Sequence, residues 1–188
     1  MKIVYGGSFN PPTLAHLEVY KYLHEKYPNS EFVYLPVSNK YQKEHLLDNE
    51  IRYEMLSIMI EGLENCSVSK IEFNDEEYLG TYNTLKKFND EVYFVLGADL
   101  FLTFKTWRNL SKLIKEFKFI ILSRDDYDVK EFLKDKIFDG YLDHFIYYED
   151  FKYNISSTSF RNTNNPKYLT KKVYEYIKLH NLYDRRSK

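Results

Sequence analysis

The chain is predicted to be an α/β protein built on a doubly wound parallel sheet. Three observations predict this: short apolar runs rich in β-branched and aromatic residues recur along it, segments of helical period lie between and after them, and strand alternates with helix from the first residues onward. Parallel neighbours need crossover connections, so this alternation implies a sheet with helices on both faces.

The runs Lys2 to Tyr5, Glu31 to Leu35, Val92 to Leu96 and Phe117 to Leu122 read as strands buried on both faces. Between the first two, the prolines at 11 and 12 lead into a helix beginning near Thr13. Ile51, Met55, Met59 and Leu63 are spaced by four, as are Leu169, Val173 and Ile177, and each set marks an amphipathic helix. The stretch Phe138 to Asn154 is aromatic and irregular, with room for one more strand. No internal repeat, low-complexity tract or Pro/Gly linker interrupts the chain, so residues 1–188 are expected to form a single domain.

Composition bounds the function. Hydrophobic residues make up 44% of the 188 and charged residues 29%, with a formal net charge of -1, the profile of an ordinary globular protein. That balance argues against a protein that wraps nucleic acid, which needs a surplus of Lys and Arg on one face. Cys66 is the single cysteine, excluding an intramolecular disulfide and a Cys-rich metal site; it is expected to be a buried strand residue. The opening MKIVYGG has neither the length nor the apolar run of a signal peptide or membrane span, so no membrane partner is expected and the expected location is cytoplasmic.

In an open α/β sheet ligands bind beyond the carboxyl ends of the strands, so the segment after the first strand is the first place to look for chemistry. It reads Gly6-Gly7-Ser8-Phe9-Asn10-Pro11-Pro12-Thr13-Leu14-Ala15-His16. The glycines allow a turn and close backbone approach, the helix start offers unpaired N–H groups to an anion, and His16 falls in the first helical turn. The segment is neither GxxxxGK[ST] nor GxGxxG, so kinase-like and dehydrogenase readings lose their main support. A plain strand-to-helix turn with a solvent-facing histidine fits the spacing equally well. Near the other end, Ile155-Ser156-Ser157-Thr158-Ser159-Phe160-Arg161 combines helix-capping hydroxyls with a forked cation one turn in, a second candidate phosphate site. Alone, such a serine cluster is better read as an ordinary capped helix.

GGSFNPPTLAH resembles the GxFxPxxxxH signature of the nucleotidylyltransferase superfamily, and ISSTSFR resembles the ISSTxxR element of nicotinic acid and nicotinamide mononucleotide adenylyltransferases. Gly97-Ala98-Asp99 followed by Trp107 looks like the GAD element of that family and its downstream tryptophan. Tyr41 to Lys43 with Arg52 and Met55 resembles its loop and helix carrying a phosphate-binding lysine, Thr81 to Leu85 its substrate-side helix, and Val173 to Tyr183 the C-terminal helix of bacterial members. Bacterial members usually carry His at the position of Thr13 and Asp at that of Asn10, so the Thr and Asn pair bears on substrate preference.

The resemblance implies a Rossmann-like nucleotidyltransferase fold and adenylyl transfer from ATP to nicotinic acid mononucleotide, with the nicotinamide form as a second acceptor. The products are deamido-NAD or NAD and pyrophosphate. It implies His16, Thr13 and Arg161 as catalytic groups, with His16 on the α-phosphate. ATP would meet Gly7, Ser8, Phe9, His16, Lys43, Gly97, Asp99, Ser156, Ser157, Thr158 and Arg161, with Asp99 on ribose hydroxyls. The mononucleotide would meet Asn10, Lys43, Thr84, Trp107 and Arg108, with Trp107 stacked on the pyridine and backbone N–H groups near Thr84 and Trp107 reading its carboxylate. Mg²⁺ is expected to arrive with ATP, because no carboxylate cluster is spaced for a dedicated cage, and Asp75-Glu76-Glu77 reads as a solvated turn. His24, His45, His144 and His180 read as surface or structural residues, and a homo-oligomer is left open. The alternatives are a phosphopantetheine adenylyltransferase, which shares the first motif, and a nucleotide-binding regulator without turnover.

Overall fold

A computed structural model describes residues 1–41, 45–124, 127–153 and 155–183. Its strands are β1 (Lys2–Gly7), β2 (Glu31–Pro36), β3 (Cys66–Val68), β4 (Val92–Gly97), β5 (Lys118–Leu122) and β6 (Phe145–Tyr148). They form one six-stranded sheet, parallel throughout, in the order β3-β2-β1-β4-β5-β6. The helices are α1 (Leu14–Lys26), α2 (Asn49–Ile60), α3 (Thr81–Leu85), α4 (Ala98–Phe101), α5 (Leu110–Glu116), α6 (Val129–Phe132), α7 (Ser157–Thr163) and α8 (Lys171–Leu179).

Side chains along each strand alternate between two cores. Ile3, Phe32, Tyr34, Val95, Ile120 and Leu122 pack under α1, α2 and α8, whereas Val4, Val33, Leu35, Phe94, Leu96, Phe119 and Ile121 pack under α4 and α5. Because both faces are covered, the strands read as unbroken apolar runs rather than as an apolar-polar alternation. The periodicities of the two long amphipathic helices hold at Met55, Met59, Val173 and Ile177, all buried. Leu63 lies beyond the end of α2, and Leu169 precedes α8, whose N-cap is Thr170.

The strands extend past the expected apolar runs, so Gly6, Gly7 and Gly97 are strand-end residues rather than turn residues. Their need for glycine is steric: a Cβ on Gly6 would stand 2.7 Å from the Phe94 ring, one on Gly7 2.9 Å from the Phe9 ring, and one on Gly97 2.6 Å from the Asp99 carboxylate. β3 is three residues long, too short to leave a periodic signal, and its Cys66 is half-buried rather than buried. β6 occupies the aromatic stretch after Phe138; Asn154, at the end of that stretch, lies outside the described residues. No helix among the described residues is long and apolar enough to cross a membrane.

From β1 the chain passes outward to β2 and β3, then returns to pair β4 on the other side of β1. The crossovers on the two sides diverge there, opening a crevice at the carboxyl ends of β1 and β4.

Candidate active site

A cavity of about 740 Å³ occupies that crevice, a volume typical of small-molecule sites. Its walls come from both candidate motifs, from Gly97 and Asp99 after β4, and from Trp107 and Arg108.

At the first motif, Thr13 is the N-cap of α1, and His16 is the third residue of the helix. The backbone N–H of Thr13 donates to His16 Nδ1 at 2.8 Å, with Thr13 Oγ1 3.0 Å from the same nitrogen. This is a capping box with histidine where Glu or Gln usually stands. Because Nδ1 accepts an N–H, a neutral ring carries its proton on Nε2. The ring is held against Phe9 (centroids 4.9 Å) and Tyr5 (6.0 Å), and the His16 backbone oxygen accepts from the Tyr34 hydroxyl at 2.8 Å. Burial, helped by the nearby Arg124 charge, pushes the imidazole pKa down to about 3, so His16 is neutral at pH 7. The cavity therefore meets a preformed N–H donor. Thr13 is fully buried and is not among the residues lining the cavity; its backbone N–H and hydroxyl both lie against His16 Nδ1.

The turn residue of this loop is Phe9, at φ 46°, followed by a cis peptide between Asn10 and Pro11. The Phe9 ring is buried in the core, leaving its backbone and that of Ser8 at the cavity edge. Asn10 is buried with three of the four hydrogen-bonding positions of its carboxamide occupied: Nδ2 donates to His45 O at 2.8 Å, and Oδ1 accepts from the Tyr183 hydroxyl at 2.6 Å and Leu47 N–H at 3.3 Å. Asn10 lines the cavity, and its side chain also ties three segments of the chain together.

The second motif opens α7, with Ser156 as N-cap accepting from Ser159 N–H. The Ser157 hydroxyl donates to Pro11 O at 2.8 Å, while Arg161 donates through Nη1 to Asn10 O at 2.7 Å and through Nη2 to Thr158 Oγ1 at 3.1 Å. These bonds join segments some 150 residues apart in the chain into one cavity wall, so neither motif is merely a local cap or turn.

Across the cavity, Asp99 pairs with Arg124 at 3.1 Å. Trp107 is half-buried, edge-on to Phe94 (6.2 Å) and packed on Phe104 (5.2 Å), with one side toward the cavity. The exposed Arg108 lies over Gly80. Thr84, in contrast, points inward: its hydroxyl donates to Glu72 Oε1 at 2.9 Å. Of the backbone donors in these two segments, Thr84 N–H bonds to Gly80 O at 3.3 Å and Trp107 N–H to Phe104 O at 3.0 Å. Lys43 lies outside the described residues.

Among the cavity residues that escaped the sequence reading are Arg124, Tyr5 and Glu72. Arg124 follows β5, and the rule that ligands bind beyond strand carboxyl ends, applied to every strand, would have found it. Tyr5 lies within the first apolar run and looked like core. Glu72 is a buried carboxylate whose second oxygen accepts from Ser38 N–H at 3.3 Å, and burial raises its pKa; no local pattern marks it. Among the described residues no group of three or more His, Cys, Asp or Glu is placed to hold a metal. Asp75 is ion-paired with Lys87 rather than simply solvated. His24 and His180 stack on Tyr20 and Tyr176, and His144 Nδ1 lies 2.8 Å from Ile114 O.

Comparison with known proteins shows the family. The sequence profile described as cytidylyltransferase-like matches residues 4–163. A protein of Acholeplasma laidlawii named a probable nicotinate-nucleotide adenylyltransferase is 38% identical over 141 residues, covering 73% of this chain and 74% of the relative. A protein of Clostridium kluyveri with the same name is 30% identical, covering 97% and 98%. The solved nicotinic acid mononucleotide adenylyltransferase of Plasmodium falciparum in complex with NaAD superimposes with a TM-score of 0.82 at 27% identity, covering 100% of this chain and 98% of that one.

Proposed function

The chain belongs to the cytidylyltransferase-like family and, within it, to the nicotinate-nucleotide adenylyltransferases, and from that premise we propose how its site performs adenylyl transfer. The 5′-phosphate oxygen of nicotinic acid mononucleotide attacks the α-phosphorus of ATP; the new P–O bond forms as the bond to the β-phosphate oxygen breaks, and pyrophosphate leaves in line. Such a transfer needs alignment and charge stabilisation rather than a covalent nucleophile.

One observation carries the proposal: His16 lines the cavity with Nδ1 taken up by the Thr13 N–H, which leaves Nε2–H as the donor of the neutral ring. We assign that N–H to a non-bridging α-phosphate oxygen, where charge builds in the transition state. Thr13 fixes the tautomer. Ser8 and Gly7 meet the nucleotide through their backbone, as does Phe9. Ser156, Ser157, Thr158 and Arg161 form the wall that receives the leaving pyrophosphate, and Lys43 is assigned to the phosphates between the two substrates. Asp99, with Gly97 beside it, is assigned to the ribose of ATP. Mg²⁺ bound to ATP would neutralise phosphate charge; the cavity carboxylates Asp99 and Glu72 have protein partners in Arg124 and Thr84. The reaction is assigned to the cytoplasm and to a single domain spanning residues 1–188.

Trp107 offers the pyridine ring a flat partner. With the Thr84 and Trp107 N–H groups engaged, Arg108 is the cation on that side of the cavity, and we assign it to the nicotinate carboxylate. Preference for the acid follows, because the amide cannot ion-pair with a guanidinium. The test is pyrophosphate release with ATP and each pyridine mononucleotide in turn. The ratio of kcat/KM should favour the acid; a ratio favouring the amide overturns the preference alone, and ATP binding without release for any mononucleotide overturns the enzyme reading.

A further inference from the structure

We infer that Tyr183 is a positioning residue for the triphosphate end of the site, its hydroxyl holding Asn10, and through Asn10 the first loop and residues 45–47, in register with Arg161. The inference rests on the proposed adenylyl transfer for its meaning but stands on geometry of its own.

Asn10 is where three distant segments converge. Its carboxamide oxygen takes the Tyr183 hydroxyl at 2.6 Å and Leu47 N–H at 3.3 Å, its amide nitrogen gives to His45 O at 2.8 Å, and its main-chain oxygen takes Arg161 Nη1 at 2.7 Å. Three of the four hydrogen-bonding positions of the carboxamide are thus taken by the chain itself, and these bonds keep the segments in place. The Tyr183 bond is the shorter of the two to Oδ1 and comes from the segment following α8, remote in sequence from every other part of the first motif.

The approach of Tyr183 is itself built. Asn181 (φ 50°) and Tyr183 (φ 62°) both adopt left-handed backbone, turning the chain back after α8, and Leu182 N–H closes on Ile177 O at 3.0 Å. A bulky side chain at positive φ is unfavourable, so contacts elsewhere must offset it. Those contacts are the bond to Asn10 and an edge-on packing of the Tyr183 ring against Phe160, at 5.9 Å and 86°. Phe160 immediately precedes Arg161 in α7. Ring and hydroxyl thus grip the two partners whose alignment makes the cavity wall: the ring bears on α7, the hydroxyl on the loop that Arg161 holds. Removing only the hydroxyl keeps the ring packing and leaves Asn10 Oδ1 with the longer Leu47 bond, so the loop loosens while the core stays intact.

The test uses the full chain and compares wild type with Tyr183→Phe, Asn10→Ala and the double variant. It reads the ATP dissociation constant by calorimetry, kcat and KM for ATP by pyrophosphate release, and the melting temperature. Tyr183→Phe should weaken ATP binding and raise KM for ATP by about 5- to 10-fold, the scale of one lost hydrogen bond, with little change in melting temperature. In the Asn10→Ala background the same change should add nothing, because the shared tie is already gone. Should Asn10→Ala fail to fold, Asn10→Asp keeps an oxygen facing Tyr183, and there Tyr183→Phe should still weaken binding. Wild-type ATP affinity and KM in Tyr183→Phe, or additive effects in the cycle, overturn the inference. Wild-type protein that binds ATP but releases no pyrophosphate overturns adenylyl transfer, and the comparison of dissociation constants then still decides the role of Tyr183.

Discussion

His16 serves both the helix and the proposed chemistry, and the two can be separated. Nδ1 accepts the Thr13 N–H and so caps α1, while Nε2–H is the donor offered to the cavity. His16→Ala removes both, so it should lower turnover by about 10²- to 10³-fold and destabilise the fold by about 1 kcal/mol through the lost cap. Glutamine at this position completes a capping box in the ordinary way. His16→Gln should therefore recover most of the stability, seen in the melting temperature, and little of the rate; recovery of both would take the ring out of the mechanism.

The protonation of the same ring makes a second prediction. In the folded chain its pKa is pushed down to about 3, chiefly by burial, whereas an unfolded histidine titrates near about 6.5. Between those values the unfolded state binds one more proton than the folded state, so His16 contributes a loss of stability as pH falls through about 6.5 toward 3 and none above. Nitrogen NMR of labelled histidine should show His16 as the Nε2–H tautomer, unchanged from pH 8 to 5. Comparing acid unfolding of wild type and His16→Gln should show a shallower slope for the variant in that window. A ring that titrates near neutrality contradicts the burial-driven shift.

At the scale of elements, the loops around the cavity depend on one arginine of α2. Arg52 is fully buried, and among the described residues its hydrogen bonds go to neutral oxygens: it donates to the backbone oxygens of Leu47, Ser8 and Val37 and to the side-chain oxygens of Asn39 and Asn49. The segment after β1, at Ser8, and the connection from β2 to α2, at Val37, Asn39 and Leu47, are thereby fixed relative to α2. Lysine has a point charge in place of the planar fork and cannot reach five acceptors at once. Arg52→Lys should cost about 3 kcal/mol or more, since several buried acceptors lose a charged donor. Denaturant unfolding checks this, and a variant within about 0.5 kcal/mol of wild type, the range of ordinary surface changes, would show that the loops hold themselves.

At the scale of the whole molecule, the cavity wall runs from Tyr5 to Arg161 and exists only when β1, β4, β5 and α7 are assembled. A ligand for it therefore binds the folded state alone and stabilises it by mass action, about 2.7 kcal/mol at a hundredfold excess over its dissociation constant. MgATP should raise the melting temperature of wild type and, to a similar extent, of His16→Gln, because the proposed donor acts mainly in the transition state. Loss of the shift in His16→Gln would make His16 a ground-state binding residue instead.

The doubly wound sheet was legible without coordinates because its strands are buried on both faces, and continuous apolar runs such as Val92 to Leu96 can hardly mean anything else between helical periods. The two motifs were legible because their chemistry is local: a helix start at Thr13 and a capped turn at Ser156 are written in neighbouring residues. Roles that depend on distant neighbours were not. That the Asn10 carboxamide meets Tyr183, that the Thr84 hydroxyl meets Glu72, and which cation stands beside Asp99 are set by chain crossings from about a dozen to more than a hundred residues long. Side-chain identity fixes what a group can donate or accept, but only the packed sheet decides which partner stands within hydrogen-bonding distance of it.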